Sequence, residues 1–339
     1  MTNYDQKYAD SERLLSSEGD SLAELLENFG ERISPVLVST EHRARLLSCA
    51  RQIPASAAAL PFGFMLPLLQ DPAGAVLAIS LASGTQSAAH YERIEKNAAA
   101  TDAEAGLSRL LGSTRELDTP SPVQQITGRK WILEYDLFGH AEDYQRHPWV
   151  VFRTSEQPII ERHADREALE IVLNEIFEKA RWSVHAKKID QILYLHEVLE
   201  APAEILTLGV FAADDIKIRV GVGGFQDSEA VSNYLARIGC VELQRTAVNS
   251  VVGFFEYRQI LDDLSIRVDL GASGPGSTLR LGLYTKKRAA DDPRHWLDST
   301  QAWNPFLKRL QDLVEFCPNK ISALSKWQSP PEALFGRSG

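Results

Sequence analysis

The sequence has few cysteines and no excess of basic residues. Its 339 residues include only Cys49, Cys240 and Cys317. Three widely spaced cysteines do not suit a disulfide framework, and they predict a reducing, cytoplasmic location. The formal net charge is −10, whereas proteins that bind nucleic acids usually carry a basic excess or a basic stripe. Composition therefore argues against a nucleic-acid partner.

The chain also lacks a long apolar run of the kind that spans a membrane. Residues 52–70 carry no charge, but Pro54, Pro61 and Pro67 interrupt them. A spanning helix needs about 20 mostly apolar residues, so a buried hairpin accounts better for this segment. The N-terminus is polar and has no apolar signal core. We therefore expect no membrane partner.

Familiar catalytic and nucleotide-binding motifs are missing as well. Gly221, Gly223 and Gly224 follow a predicted strand, but no Gly-Lys-Ser/Thr and no dinucleotide fingerprint accompanies them, which favours a simple turn. His140, Asp143 and His147 share one polar loop without regular ligand spacing, so no metal site is predicted. No serine lies in a nucleophile elbow, and a hydrolase is unsupported.

The clearest pattern in the chain is a hairpin over residues 264–286. Ile266, Val268 and Leu270 alternate with polar residues in its first arm, and Leu279, Leu281 and Leu283 do so in its second. Side chains of a strand point alternately to its two sides, so the hairpin has one apolar and one charged face. The glycines and proline of residues 271–277 predict the turn.

Three further hairpins and several helices precede or follow it. The hairpin arms are predicted at 62–69 and 75–82, at 129–138 and 148–155, and at 205–212 and 215–222. Helices are predicted from Ser21 and over 40–51, 86–112, 165–181, 228–238 and 305–316. Residues 189–199 fit a strand or a helix, and 243–261 are uncertain.

Helices and hairpins thus alternate four times. This order predicts an α+β fold of repeated αββα units, with an antiparallel sheet closed into a barrel and helices outside it. No linker composition divides the chain, so we expect one domain over 12–327, a disordered lead-in over 1–11 and a loose tail over 328–339.

Three of the four hairpins carry long charged side chains or a tyrosine on their polar faces. These residues are Lys130, Glu134 and Asp136; Lys217 and Arg219; and Arg267, Asp269, Arg280, Tyr284 and Lys286. Charged strand residues usually form a solvated face. If the sheet is closed, the same residues would instead line a lumen, where guanidinium groups bind phosphate oxygens through paired hydrogen bonds.

The repeated αββα units, with Arg-x-Gly-x-Tyr-x-Lys on the polar face of the last hairpin, resemble the antiparallel αββα-barrel prenyltransferases that modify aromatic molecules and peptides. The resemblance implies a transferase that holds an isoprenoid diphosphate in its barrel. It implies diphosphate binding by Lys217, Arg219, Arg267, Arg280 and Lys286. Tyr284 would shield the allylic cation, and Glu134 or Asp136 would act as the base or substrate anchor.

The chain departs from that family in two respects. The first hairpin contributes no cation, and four hairpins supply eight strands where the family barrel commonly has ten. Residues 189–197 are a candidate for a missing strand. The alternative function is a non-catalytic adaptor that binds a peptide or a partner chain. The acceptor, a magnesium requirement and the oligomeric state stay open at this level.

Overall fold

A computed structural model describes sixteen stretches of the chain: 10, 12–17, 19–28, 34–59, 62–66, 74–82, 86–92, 102–113, 130–137, 148–153, 166–212, 216–254, 261–271, 274–285, 307 and 318–326. The strands are β1 Phe62–Met65, β2 Val76–Ala82, β3 Lys130–Asp136, β4 Trp149–Arg153, β5 Glu204–Phe211, β6 Lys217–Gly223, β7 Leu261–Gly271 and β8 Gly274–Thr285. The helices are α1 Leu22–Asn28, α2 Thr40–Ala50, α3 Gln86–Glu92, α4 Asp102–Ser113, α5 Arg166–Ala180, α6 Ala186–Glu197, α7 Ser228–Arg237, α8 Glu242–Phe254 and α9 Pro318–Lys326.

All eight strands form one antiparallel sheet, in which every strand pairs with its neighbours in sequence from β1 to β8. The sheet curls into a half-barrel. The predicted α+β class with an antiparallel sheet is confirmed. Among the described strands β1 and β8 remain the two edges, and no strand joins them.

The main core lies between the helices and the convex face of the sheet. Trp131, Leu133 and Tyr135 of β3 are buried there together with residues of α1, α2 and α4 to α7. Trp182, after α5, shows how closely these layers pack. Its indole Nε1 donates to the carbonyl of Asp102 at 3.1 Å, and a Cβ on Gly106 of α4 would lie 2.2 Å from the same nitrogen.

Local sequence signals explain where several helices begin and end. At the start of α1, Ser21 Oγ donates to Glu24 Oε1 at 3.0 Å, and Glu24 Oε2 accepts from the backbone amide of Asp20 at 3.2 Å, so Glu24 satisfies donors that precede the helix. Asp227 accepts from the amide of Ala230 at 2.8 Å and caps α7. Gly239, with a φ of 78°, ends the same helix in the left-handed region that favours glycine.

The structure corrects the suggestion that residues 189–197 supply a strand. They belong to α6, because Ile189, Ile192, Leu193 and Leu195 recur at helical spacing and are all buried. Much of the uncertain segment 243–261 is also helical, since α8 covers Glu242–Phe254.

Two other boundaries differ from those predicted, and one helix was not predicted. The last turn is shorter than 271–277, because β7 runs to Gly271 and β8 begins at Gly274, with a register irregularity between Val268 and Leu270 that lets the ladder continue. Segment 86–112 holds two helices, α3 and α4. Helix α9 begins at Pro318, which suits the first helical position. Apart from the helical Leu307, the helix predicted over 305–316 lies outside the described residues.

The core contains a pair of buried tyrosines whose titration makes stability depend on pH. The hydroxyls of Tyr91 and Tyr135 lie 3.4 Å apart. Burial raises the pKa of both phenols above 10.0, and it raises the pKa of the nearby Cys49 thiol from 9.0 to about 12. These groups therefore stay neutral in the folded protein under conditions where they ionise in the unfolded chain.

We expect the free energy of unfolding to fall as the pH rises above about 9 to 10, because only the unfolded chain then loses these protons. Each group contributes about 1.4 kcal/mol per pH unit above its unfolded pKa. Denaturant titrations from pH 8 to 11.5 measure this dependence. Above pH 10, the free energy of unfolding of Tyr91→Phe should fall by about 1.4 kcal/mol less per pH unit than that of the native chain. Tyr194→Phe, at an exposed tyrosine, is the matched control. Equal slopes for Tyr91→Phe and the native chain would contradict this account.

Candidate functional site

The concave face of the half-barrel carries the charged residues that strand alternation predicts. Glu134 and Asp136 of β3 lie on this face, opposite to the buried Leu133 and Tyr135. Arg219 of β6 likewise alternates with core residues. Register places Arg219 directly across from Asp269 of β7. The polar side of the sheet is thus a single inner surface.

Arg219 is the central residue of an ionic network on this face. Its Nε donates to Asp269 Oδ1 at 2.5 Å and its Nη2 to Asp269 Oδ2 at 3.1 Å, which is a bidentate pair. Its Nη1 donates to Glu134 Oε2 at 3.3 Å. The side chains of Arg219 and Glu134 are only 3% and 2% exposed, so this pair is buried.

The network continues from Glu134 to the C-terminal hairpin. Arg267 Nη1 donates to Glu134 Oε1 at 2.8 Å and lies 3.6 Å from the sulfur of Met65 on β1. Arg280 of β8 donates from Nη2 to Asp136 Oδ2 at 3.0 Å. Three guanidinium groups and three carboxylates therefore meet on one face.

These contacts require the curl of the sheet. Neighbouring strands are roughly 4.8 Å apart, so a flat sheet would separate β3 from β6 by roughly 14 Å and β3 from β8 by roughly 24 Å. Side chains on those strands nevertheless make hydrogen bonds of 3.3 and 3.0 Å. The curvature therefore brings Arg219 of β6 and Arg280 of β8 within hydrogen-bonding distance of β3.

An apolar aromatic surface adjoins the network. Trp149 of β4 and Phe211 of β5 lie with ring centroids 5.5 Å apart, in a small buried cluster with Val151 that is separate from the main core. The Arg219 guanidinium carbon stands 4.0 Å over the Trp149 ring, and Lys217 Nζ is 5.6 Å from the Phe211 centroid. Both cations lie within the range of cation–π attraction.

Exposure rises along the network from its centre to β8. Asp136, Arg267 and Asp269 are partly buried, whereas the side chain of Arg280 is 34% exposed. Arg219 and Glu134 form the buried centre of the network. Arg280 is its most exposed member.

The structure thus brings together most of the predicted site residues: Glu134, Asp136, Lys217, Arg219, Arg267 and Arg280 all lie on the concave face. The side chains of Lys130 and Tyr284, and the whole of Lys286, lie outside the described part of the structure. Trp149 and Phe211 were not among the predicted site residues. Strand register places both residues on the polar face, since Trp149 pairs with Glu134 and Phe211 pairs with Lys217.

Two other sequence features have a structural outcome. Gly221 and Gly223 lie within β6 and not after a strand as predicted, and only Gly224 follows it, with a φ of 79°. A Cβ on Gly221 would lie 2.0 Å from Thr207 Oγ1 of β5, which explains that glycine.

His140, Asp143 and His147 lie outside the described residues. Among those described, no group of three or more potential ligands could hold a metal ion.

Fold and site together define a class of protein: a helix-covered antiparallel half-barrel with an ionic network and an aromatic pair on its concave face. No helix within the described ranges has the length and apolar character needed to cross a membrane. Comparisons with protein-family models, with curated proteins and with solved structures find no match for the chain.

Proposed function

We propose that the protein is a transferase that moves an isoprenoid group from its diphosphate to an aromatic small molecule or a peptide. The observation that carries this proposal is the juxtaposition of cations with aromatic rings on one concave face. An isoprenoid diphosphate has a charged head, which suits the cations, and an apolar chain, which suits the aromatic rings.

In this proposal the diphosphate binds at the more exposed end of the network. Arg280 and Arg267 contact their carboxylates through Nη2 and Nη1 respectively, and a guanidinium carries five N–H donors in a planar fork that matches phosphate geometry. Lys217 adds positive charge to the same face, and Lys286, which lies outside the described residues, remains a predicted ligand. Arg219 has a different role in the proposal. Because its guanidinium bonds to Glu134 and Asp269, it acts as a positioning residue for these carboxylates.

In the proposal the apolar chain of the donor packs at the edge of the cluster of Trp149 and Phe211, whose rings are themselves buried. Aromatic faces stabilise a nearby cation through their quadrupoles, and Arg219 over Trp149 shows that this surface already accepts a positive charge at 4.0 Å. Tyr284 belongs to the same shield in the proposal.

The reaction then follows from charge. The bond between the isoprenoid C1 and the diphosphate oxygen breaks with its electron pair leaving on oxygen, and arginine and lysine stabilise that charge. The acceptor donates an electron pair to the allylic cation and loses a proton to Asp136, which lies on the same face. Glu134 is buried between Arg219 and Arg267 and holds them in place.

A non-catalytic adaptor that binds a peptide or a partner protein is the second candidate. The charge balance favours it, because Arg219, Arg267 and Arg280 each already contact a carboxylate. A diphosphate would have to compete with these carboxylates, whereas an adaptor needs the network only to hold the curled sheet together.

Ligand-induced stabilisation separates the two candidates. We expect dimethylallyl, geranyl or farnesyl diphosphate, with and without magnesium, to raise the free energy of unfolding. At a hundred times its dissociation constant a ligand adds about 2.7 kcal/mol, which a thermal-shift assay detects. Geraniol and inorganic diphosphate are the matched controls for the chain and the head. The absence of a shift with every diphosphate would favour the adaptor.

A further inference from the structure

The ion pairs of the concave face differ in how firmly they are held. Arg219 makes a bidentate contact with Asp269 and a further bond to Glu134, and it is almost fully buried. Within the described ranges, Arg280 has one hydrogen bond, from Nη2 to Asp136 Oδ2 at 3.0 Å, and its side chain is 34% exposed. Ion pairs that water reaches contribute little to stability, whereas buried pairs are costly to break. The pair of Arg280 with Asp136 is therefore the one that most readily exchanges partners.

This pair joins distant strands beside a second arginine. Asp136 belongs to β3 and Arg280 to β8, and β4 to β7 lie between them in the sheet. Register places Arg267 of β7 directly across from Arg280, and the Cβ atoms of residues paired in this way lie roughly 5 Å apart. Like charges in such positions repel each other. A diphosphate held by Arg280 relieves this repulsion and lies within reach of Arg267.

We propose that Asp136 is an internal competitor of the donor: its carboxylate occupies Arg280 in the free protein, and the diphosphate of the donor displaces it. This inference rests on the proposed function and adds a means of regulation to the same site. Phosphate oxygens match the paired N–H donors of a guanidinium as a carboxylate does. A diphosphate also carries more negative charge than one aspartate, so the exchange favours the donor.

The exchange couples donor binding to proton transfer. In the free protein Asp136 Oδ2 accepts a hydrogen bond from Arg280 and is occupied. When the diphosphate takes Arg280, this oxygen becomes available for the proton that the acceptor loses in the proposed reaction. The base is thus released only in the donor complex, which predicts that the donor binds before the acceptor gives up its proton.

Affinity for diphosphates tests the competition directly. Calorimetry with inorganic diphosphate and with geranyl diphosphate compares the native chain with D136N, which keeps the shape of the side chain and removes the competing charge. We expect D136N to bind both probes about fivefold more tightly or better, and D136S, which also removes the carboxylate, to show the same gain. D190N is the matched control, because Asp190 pairs with Arg166 on the helical surface and is 65% exposed. Its affinity should stay within about twofold of the native value.

Removing Arg280 shows whether the gain comes from competition. In an R280A background, D136N should change the affinity for geranyl diphosphate less than about twofold, because the group for which the two anions compete is missing. A gain that persists in full without Arg280 would come from general charge repulsion and would overturn the proposal. Equal affinities of D136N and the native chain would also overturn it, and they would leave the proposed function intact. Binding of no diphosphate by either chain would overturn both.

Discussion

Replacing Glu134 with glutamine is expected to lower the free energy of unfolding by about 3 kcal/mol or more. Glu134 accepts hydrogen bonds from Arg219 and Arg267, which come from two different strands, and its side chain is 2% exposed. Removing its charge takes away the carboxylate to which Arg267 donates and leaves the buried Arg219 with Asp269 as its remaining carboxylate. The cost of an uncompensated buried charge greatly exceeds that of a lost surface ion pair.

Urea or guanidinium denaturation at neutral pH measures this effect. Glu200→Gln is the matched control, because Glu200 pairs with Arg237 on the surface and both side chains are about half exposed. That substitution should cost no more than about 1 kcal/mol. If Glu134→Gln and Glu200→Gln cost the same, the concave face is hydrated and the network does not hold the half-barrel together.

The second large effect concerns donor binding. Arg280→Ala should weaken the binding of an isoprenoid diphosphate about tenfold or more if Arg280 holds the head group, and R267A/R280A should lower affinity at least 100-fold. Each charge-assisted hydrogen bond contributes about 1.5–3 kcal/mol, and tenfold in affinity corresponds to about 1.4 kcal/mol. Two such bonds therefore account for the expected loss.

Calorimetry with geranyl diphosphate provides the measurement, and circular dichroism confirms that each variant is folded. Arg166→Ala is the control, since Arg166 forms ion pairs with Glu197 and Asp190 on the helical surface. It should bind the donor as the native chain does. Unchanged affinity in Arg280→Ala would remove the diphosphate role from the concave face and leave the ionic network a structural feature.

Alternation predicted the two faces of the sheet correctly because it depends only on backbone geometry. Ile218, Val220 and Val222 are buried on the convex side, and Arg219 lies on the concave side between them. The helical nature of 189–197 was not decided by the sequence, since a short apolar segment fits either period. Packing against the sheet determines that Ile189 and Ile192 face the core.

The partners of the charged residues could not be predicted in the same way. Glu134 and Arg219 are 85 positions apart in sequence, and Asp136 and Arg280 are 144 apart. Their contacts depend on the curvature of the whole sheet, which strand alternation does not determine. The aromatic pair escaped prediction for a related reason, because register between strands, and not composition, places Trp149 beside Phe211.

The strand order has a consequence for synthesis on the ribosome. Because each strand pairs with the strand before it, hairpins form from local contacts as they emerge, and domains begin to fold from the N-terminus during translation. Glu134 emerges long before Arg219 and Arg267, the residues that neutralise it. The nascent sheet therefore carries an exposed carboxylate on its inner face, which keeps that face hydrated until the C-terminal hairpin arrives and the half-barrel curls around it.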